Sequence, residues 1–337
     1  MASPPAAAVQ PEAPPTLEVD NAVENDSSYG DELSAYTASL TSSVNQFKEE
    51  YGRTFHTYRD AGGNAFPADE QEQDRLDIFH AMMMTLFDGR LHFAPIESNI
   101  QRAIDLGTGT GTEKPSDDFP SAEVLGVDLT PMQPNNVPPN LRFILDDIED
   151  DWEYEKNPFD YVHGRYLATS INDWPRLTKQ AYNCLKPGGW VEFQDWDSNV
   201  RCDDSSLKPD SGLAQLSREA IKRRDAAGYV TSPGPHLEKW VKDAGFINVT
   251  VIKYPLPIGS WAKDPKYKRA GAWNYLQFDH GVEGMCIGLL ARTPGVEKAW
   301  TKDEIHVLSA MCRNEAKNPA IHAYYNLYVV YGQKPPA

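Results

Sequence analysis

Short β-prone apolar runs alternate through the middle of the chain with stretches whose apolar positions recur at helical spacing. Arg102–Leu106, Glu123–Leu129, Leu141–Leu145, Phe159–His163 and Trp190–Gln194 are the strand-like runs; Trp174–Leu185 and Leu213–Ala227 are the helical ones. That order predicts a parallel sheet with crossover helices, a doubly wound α/β domain. Ahead of it, DEQEQDRLDIFHAMMMTLF reads as a helix. Leu76, Phe79, Met83 and Phe87 fall at helical spacing, and Asp69 and Glu70 sit at the end where the helix dipole favours acids. Past residue 230, His236–Ala244 reads as a helix stopped by Gly245, followed by a strand at Asn248–Tyr254.

Residues 258–320 then intervene before a last β-prone run, His322–Gly332. A segment of that size needs structure of its own, and its apolar stretch WNYLQFDHGVEGMCIGLL predicts a helical cap over the sheet. The reading divides the chain into a disordered acidic Pro/Ala/Ser-rich tail at 1–45, a helical arm at 46–98, an α/β core at 99–257, a helical cap insertion at 258–320, and a final core strand at 321–337. The tail has too few large apolar side chains to offset its ordering entropy.

Composition narrows the function classes. The formal charge of −17 is spread beyond the tail, and no basic stripe with interleaved aromatics is visible, which argues against direct binding to nucleic acid. No apolar run approaches the length needed to cross a bilayer, so no membrane association is expected. The four cysteines are scattered far apart, with neither a disulfide framework nor a metal-ligand spacing. A reducing compartment, cytoplasmic or nuclear, fits best, and no metal is expected.

The chemistry-bearing stretch is AIDLGTGTGTEKP, Ala103–Pro115, a glycine loop directly after a strand. Alone it is a weak signal. A second strand, EVLGVD, ends in Asp128, where a carboxylate beside the loop can accept hydrogen bonds from ribose hydroxyls. Dinucleotide binders space their glycines G-x-G-x-x-G so that pyrophosphate meets a helix N-terminus. The pattern here, D-x-G-x-G-x-G over Asp105–Gly111, suits a cofactor without phosphate and with an amino-acid tail. In LDDIEDDW, Asp147 can face an adenine amino group with Ile148 against the ring, and LKPGGWVEFQD turns through Pro-Gly-Gly into a strand. The four pieces in this order favour S-adenosylmethionine over NAD.

With these motifs in view, the chain resembles the class I S-adenosylmethionine-dependent methyltransferases, and among them the fungal LaeA-like group. The resemblance is carried by YGRTFHTYR (51–59), DEQEQDRLD (69–77), LHFAPI (91–96), AIDLGTGTG (103–111), VPPNLRFILDDIED (137–150), FDYVHGRYL (159–167), LKPGGWVEFQD (185–195) and IHAYYNLYVVYGQKP (321–335). It implies a Rossmann-like sheet of seven strands whose last strand is antiparallel. It also implies cofactor contacts at Asp105, Gly107, Thr108, Gly109 and Gly111 for the methionyl tail, Asp128 for the ribose, and Asp147 for the adenine. The implied activity is methyl transfer to a small molecule of fungal secondary metabolism. The alternatives are a regulator of LaeA kind acting through protein partners, or a non-catalytic relative.

One segment departs from the group. TEKPSDDFP (112–120) stands where an apolar helix normally follows the loop, and it leaves room for at most two helical turns. A shortened helix that still serves, a loss of function, and an error in the gene model all account for it. Candidate catalytic residues are His163, at the carboxyl end of the fourth strand, and Arg165, which can hold an acidic group or pair with a neighbouring carboxylate. His56, Tyr58 and Arg59 are candidates from the arm, Asp195 and Trp196 for the acceptor pocket, and Trp273, Tyr275 and Phe278 for a pocket in the cap. His322 and Tyr324 read as core positions.

Overall fold

The computed structural model describes residues 17, 47–56, 65–110, 119–130, 132, 138–295 and 298–337. Tyr58, Arg59, Gly111, nearly all of the expected tail and residues 112–118 of the departing segment lie outside these.

Strands β1 (Phe47–Glu50) and β2 (Arg53–His56) form an antiparallel hairpin, so the arm expected to be helical opens with a β-ribbon. Tyr51 and Gly52, both at positive φ, make its two-residue turn. Helix α1 (Glu70–Leu86) follows, capped by Asp69, whose carboxylate accepts the Glu72 N–H and takes both ends of the Arg53 guanidinium at 2.6 Å. That clamp ties hairpin to helix. The buried stripe of α1 is Glu72, Arg75, Ile78, Phe79, Met82, Met83 and Leu86. Two of its members are charged, and Leu76, expected inside, is only half-buried.

The sheet is built from β3 (Arg102–Leu106), β4 (Glu123–Asp128), β5 (Leu141–Leu145), β6 (Phe159–Arg165), β7 (Leu185–Arg201), β8 (Ile247–Pro257) and β9 (Tyr324–Gln333). Its order is β5-β4-β3-β6-β7-β9-β8, with β3 to β7 parallel and β9 antiparallel to both neighbours. The expected seven strands and the reversed last strand are therefore present. Helices α2 (Trp174–Cys184), α3 (Gly212–Ala226) and α4 (Gly234–Ala244) connect the later strands, and Gly245 at φ +109° ends α4. Between β8 and β9 stand α5 (Pro265–Cys286), a π-turn (Ile287–Ala291) and α6 (Lys302–Lys317). No helix among the described residues is long and apolar enough to cross a membrane.

Strand alternation sorts the core into two faces. Ile104, Leu106, Val162, Val191 and Phe193 pack with Trp174, Leu177, Leu237 and Val241 of α2 and α4. The opposite face carries Ala103 and Tyr161, packed with Phe79, Met82 and Met83 of α1. Asp105 and His163 share this second face by register. A third cluster joins α3, α5 and α6 through residues such as Leu216, Phe278, Val282, Leu308 and Cys312.

Two strands run further than their sequence pattern suggests. β6 extends to Arg165, so His163 stands inside the strand and not at its end. β7 begins at Leu185, paired with Phe159, shifts register across the Pro-Gly-Gly stretch before Trp190 pairs with Tyr161, and continues past Gln194 to Arg201.

Candidate functional site

The glycine loop leaves β3 under tight constraint. Gly107 and Gly109 both have positive φ, and a Cβ on Gly107 would lie 2.6 Å from Leu167 Cδ2. The N–H groups of Gly107 and Thr108 donate to the Val127 carbonyl at 2.8 and 3.1 Å. At the end of β4, one Asp128 oxygen accepts the Gly109 N–H at 2.8 Å and the other accepts the Thr130 N–H at 2.9 Å. Asp128 therefore holds the loop in shape as well as facing the cleft. Burial raises its pKa, against the pull of those donors.

Loop and acid line a cleft of about 1350 Å³ of empty space, its open mouth included. Asp105, Gly107, Thr108, Gly109, Asp128, Asp147, Ile148, His163 and Arg165 all line it, so the described residues expected to hold the cofactor and the two catalytic candidates from β6 meet in one place. Asp147 is buried, and one of its oxygens accepts the Glu149 N–H at 2.8 Å.

Electrostatics distinguish the ligands this cleft can hold. Its lining includes the carboxylates of Glu72, Asp105, Asp128, Asp146, Asp147 and Glu149 against the guanidiniums of Arg75 and Arg165. An excess of acids attracts a cation and repels a pyrophosphate.

On the sheet floor, Asp105, His163 and Glu192 stand in register across β3, β6 and β7. His163 Nδ1 lies 2.7 Å from Asp105 Oδ1. A carboxylate can only accept, so Nδ1 carries the proton, and in the neutral ring the lone pair is on Nε2. Nε2 is buried and has no hydrogen-bond partner among the described residues, as is also true of Thr108 Oγ1. Both residues line the cleft, and a buried polar atom without a partner calls for one. Glu192 is fully occupied, accepting the N–H groups of Phe93 and Ala94 and the Gln194 amide.

Arg165 reaches across to α1, its Nη2 lying 3.2 Å from His80 Nδ1. Burial lowers its pKa, and Asp105, Tyr161 and Glu192 oppose that shift. Of the other candidates, His56 lies on β2 with its ring edge-on to Phe47, and it does not line the cleft. Asp195 does not line the cleft. It is buried in β7 and accepts the N–H groups of Leu167 and Trp196 at 2.8 Å, which fixes the chain after β6. Trp273 and Tyr275 pack beside two different core clusters, whereas Phe278 lines a second cavity. His322 and Tyr324 are half-buried and pair with Asp204 and Asp203 at the start of β9, and Tyr324 also packs against the core cluster that includes Trp261 and Leu327.

Two features escaped the sequence reading. Arg75 is fully buried, bound to Glu72 through Nη2 at 2.7 Å and to Gln277 of the cap through Nη1 at 2.9 Å. Tyr166 follows β6 at φ 59°, with the Arg75 guanidinium over its ring at 5.3 Å. Arg75 lies four positions before Phe79, so its place on the buried face could be read; nothing local in the sequence marks Tyr166.

The reversed strand beside a parallel sheet defines a class I methyltransferase fold. Residues 73–251 match the methyltransferase domain family. The chain is 40% identical over 300 residues to methyltransferase pytC of Aspergillus terreus, covering 88% of this chain and 91% of that protein. It is 34% identical to the secondary metabolism regulator LAE1 of Cochliobolus heterostrophus, covering 85% and 94% of the two chains. It is also 34% identical to protein-methionine methyltransferase laeA of Emericella nidulans, covering 88% and 79%. Among solved structures, phosphoethanolamine N-methyltransferase 2 of Haemonchus contortus is similar at a TM-score of 0.45 and 19% identity, covering 76% of this chain and 53% of that one. The chain belongs to the LaeA-like family of fungal methyltransferases.

Proposed function

We propose that the protein transfers a methyl group from S-adenosylmethionine to a small molecule, within fungal secondary metabolism. The observation that carries this reading is the convergence of the glycine loop, Asp128, Asp147 and His163 on one acid-lined cleft. The fit is chemical. S-adenosylmethionine bears a sulfonium and an ammonium, and the lining supplies carboxylates for both. Gly107, Thr108 and Gly109 would hold the amino-acid tail with Asp105, Asp128 the ribose, and Asp147 with Ile148 the adenine.

When bound, the cofactor supplies a methyl carbon activated for displacement by a lone pair of the acceptor. The remaining work falls to the chain: orienting the acceptor, excluding water and moving a proton. Asp105 fixes the tautomer of His163, so Nε2 is the atom that takes a proton from a hydroxyl acceptor. Arg165 serves as a counter-charge among Asp105, Tyr161 and Glu192.

A second reading, a regulator acting on a protein partner in cytoplasm or nucleus, is supported by the relatives named as secondary metabolism regulators. Incubating the protein and methyl-labelled S-adenosylmethionine with an extract of the producing cells separates the two. The small-molecule reading predicts label in the organic-soluble fraction, lost in His163→Gln. Label confined to the protein fraction overturns it.

A further inference from the structure

A second cavity, about 740 Å³ with its opening, lies beside the cofactor cleft beneath the cap. Phe66 and Tyr166 line both spaces, their rings 5.6 Å apart, and so form a shared wall. The far side of the second space is built from α3, α5, the π-turn, the C-terminal half of β7 and the start of β9.

Its chemistry differs sharply from that of the cleft. None of the lining side chains is charged. Most are apolar or aromatic, and the polar ones are largely occupied by the protein. Asn274 donates to the Pro257 carbonyl at 2.7 Å and accepts from Gln277 at 2.8 Å. Ser217 donates to the Ser198 carbonyl at 2.7 Å, and Thr231 donates to Asp225 at 2.7 Å. Two lining residues break this pattern. Trp196 is 7% exposed and Thr169 5% exposed, and both Trp196 Nε1 and Thr169 Oγ1 are buried without a hydrogen-bond partner among the described residues. An indole N–H can only donate, so a buried one left without a partner is uncompensated until an acceptor atom arrives with a ligand.

Building on the methyltransferase reading, we propose that this chamber is the acceptor-binding pocket. Its ligand is an uncharged small molecule with an aromatic body, carrying a carbonyl or ether oxygen that accepts a hydrogen bond from Trp196 Nε1. The absence of lining charge disfavours ionised acceptors, since no counter-ion meets them and desolvation is uncompensated. The aromatic lining of Phe66, Tyr166, Trp196, Phe278 and Tyr325 offers faces and edges to a flat ring. Tyr166 places the reacting end of such a molecule at the boundary with the cofactor cleft.

The test is calorimetric titration of the full chain, first with S-adenosylhomocysteine and then, at saturation, with 7-hydroxycoumarin at mildly acidic pH, where it is uncharged. Two variants accompany it. Trp196→Phe keeps the ring and removes the N–H, and Ala220→Met fills the chamber; thermal unfolding verifies that each folds. The proposal expects the coumarin to bind the parent, at least about five-fold more weakly to Trp196→Phe, as loss of one hydrogen bond implies, and not at all to Ala220→Met. Affinity for S-adenosylhomocysteine is expected to be unchanged in both. 7-Hydroxycoumarin-3-carboxylate and an N-acetylmethionine amide peptide should fail to compete. Cofactor-product binding without coumarin binding, coumarin binding indifferent to both variants, or effective competition by the carboxylate or the peptide each overturns the pocket assignment while leaving methyl transfer intact. A folded parent that binds no S-adenosylhomocysteine instead sinks the underlying reading, and this proposal with it.

Discussion

Asp105 Oδ1 and His163 Nδ1 lie 2.7 Å apart on neighbouring parallel strands, in direct register. The residue that opens the glycine motif thus also orients His163, whose Nε2 is buried without a hydrogen-bond partner among the described residues. The two motifs are 58 residues apart in sequence and become a single unit only through the pairing of β3 with β6.

If His163 acts as a proton acceptor, His163→Gln should lower turnover by about 10²–10⁴-fold, the usual worth of a positioned general base. S-adenosylhomocysteine affinity should stay within a few-fold of the parent. Turnover measured alongside calorimetry checks this. Equal loss of binding and turnover would assign His163 to holding the cofactor instead.

The buried Glu72–Arg75–Gln277 chain links α1 to the cap. Arg75→Leu leaves the Glu72 carboxylate buried without its cation, which typically costs about 3–5 kcal/mol. Replacing both charged residues by leucine removes the orphan as well. Urea unfolding should therefore find the double variant more stable than Arg75→Leu alone.

Burial lifts the Asp195 carboxyl to about 7, outweighing the backbone N–H groups of Trp196, Leu167 and Ala168. With the folded value above the unfolded one of 3.8, its stabilising contribution is fully present below that lower value. It is lost as pH rises through about 7. The parent should lose Tm relative to Asp195→Asn across that window, with the difference levelling off at higher pH. A Tm difference independent of pH would contradict the assignment.

Much of the site was legible because its signals are local. The glycine loop, Asp128 and Asp147 each sit at the end of a short β-prone run, and strand order alone brings them to one edge. The Phe47–His56 hairpin carried its own Tyr-Gly turn, a weak signal easily passed over. Leu185–Gly189 reads as a turn because of Pro-Gly-Gly, yet Leu185 already pairs with Phe159 of β6, and the register shifts before Trp190 pairs with Tyr161. The burial of Glu72 and Arg75 runs against the ordinary exposure of charged residues, so periodicity pointed to Leu76 instead. The chamber beneath the cap was not legible as a whole. Phe66, Tyr166, Trp196, Ser217, Asn274 and Tyr325 come from separate segments, and only their packing makes them one wall.

Binding of the methyl donor is the claim on which the rest depends. Calorimetric titration of the purified chain with S-adenosylmethionine, S-adenosylhomocysteine and NAD, beside Asp128→Ala, tests it most directly. The account predicts micromolar binding of the first two, no binding of NAD, and loss of binding in the variant. A well-folded protein that binds neither sulfur compound, or that binds NAD more tightly, would contradict it.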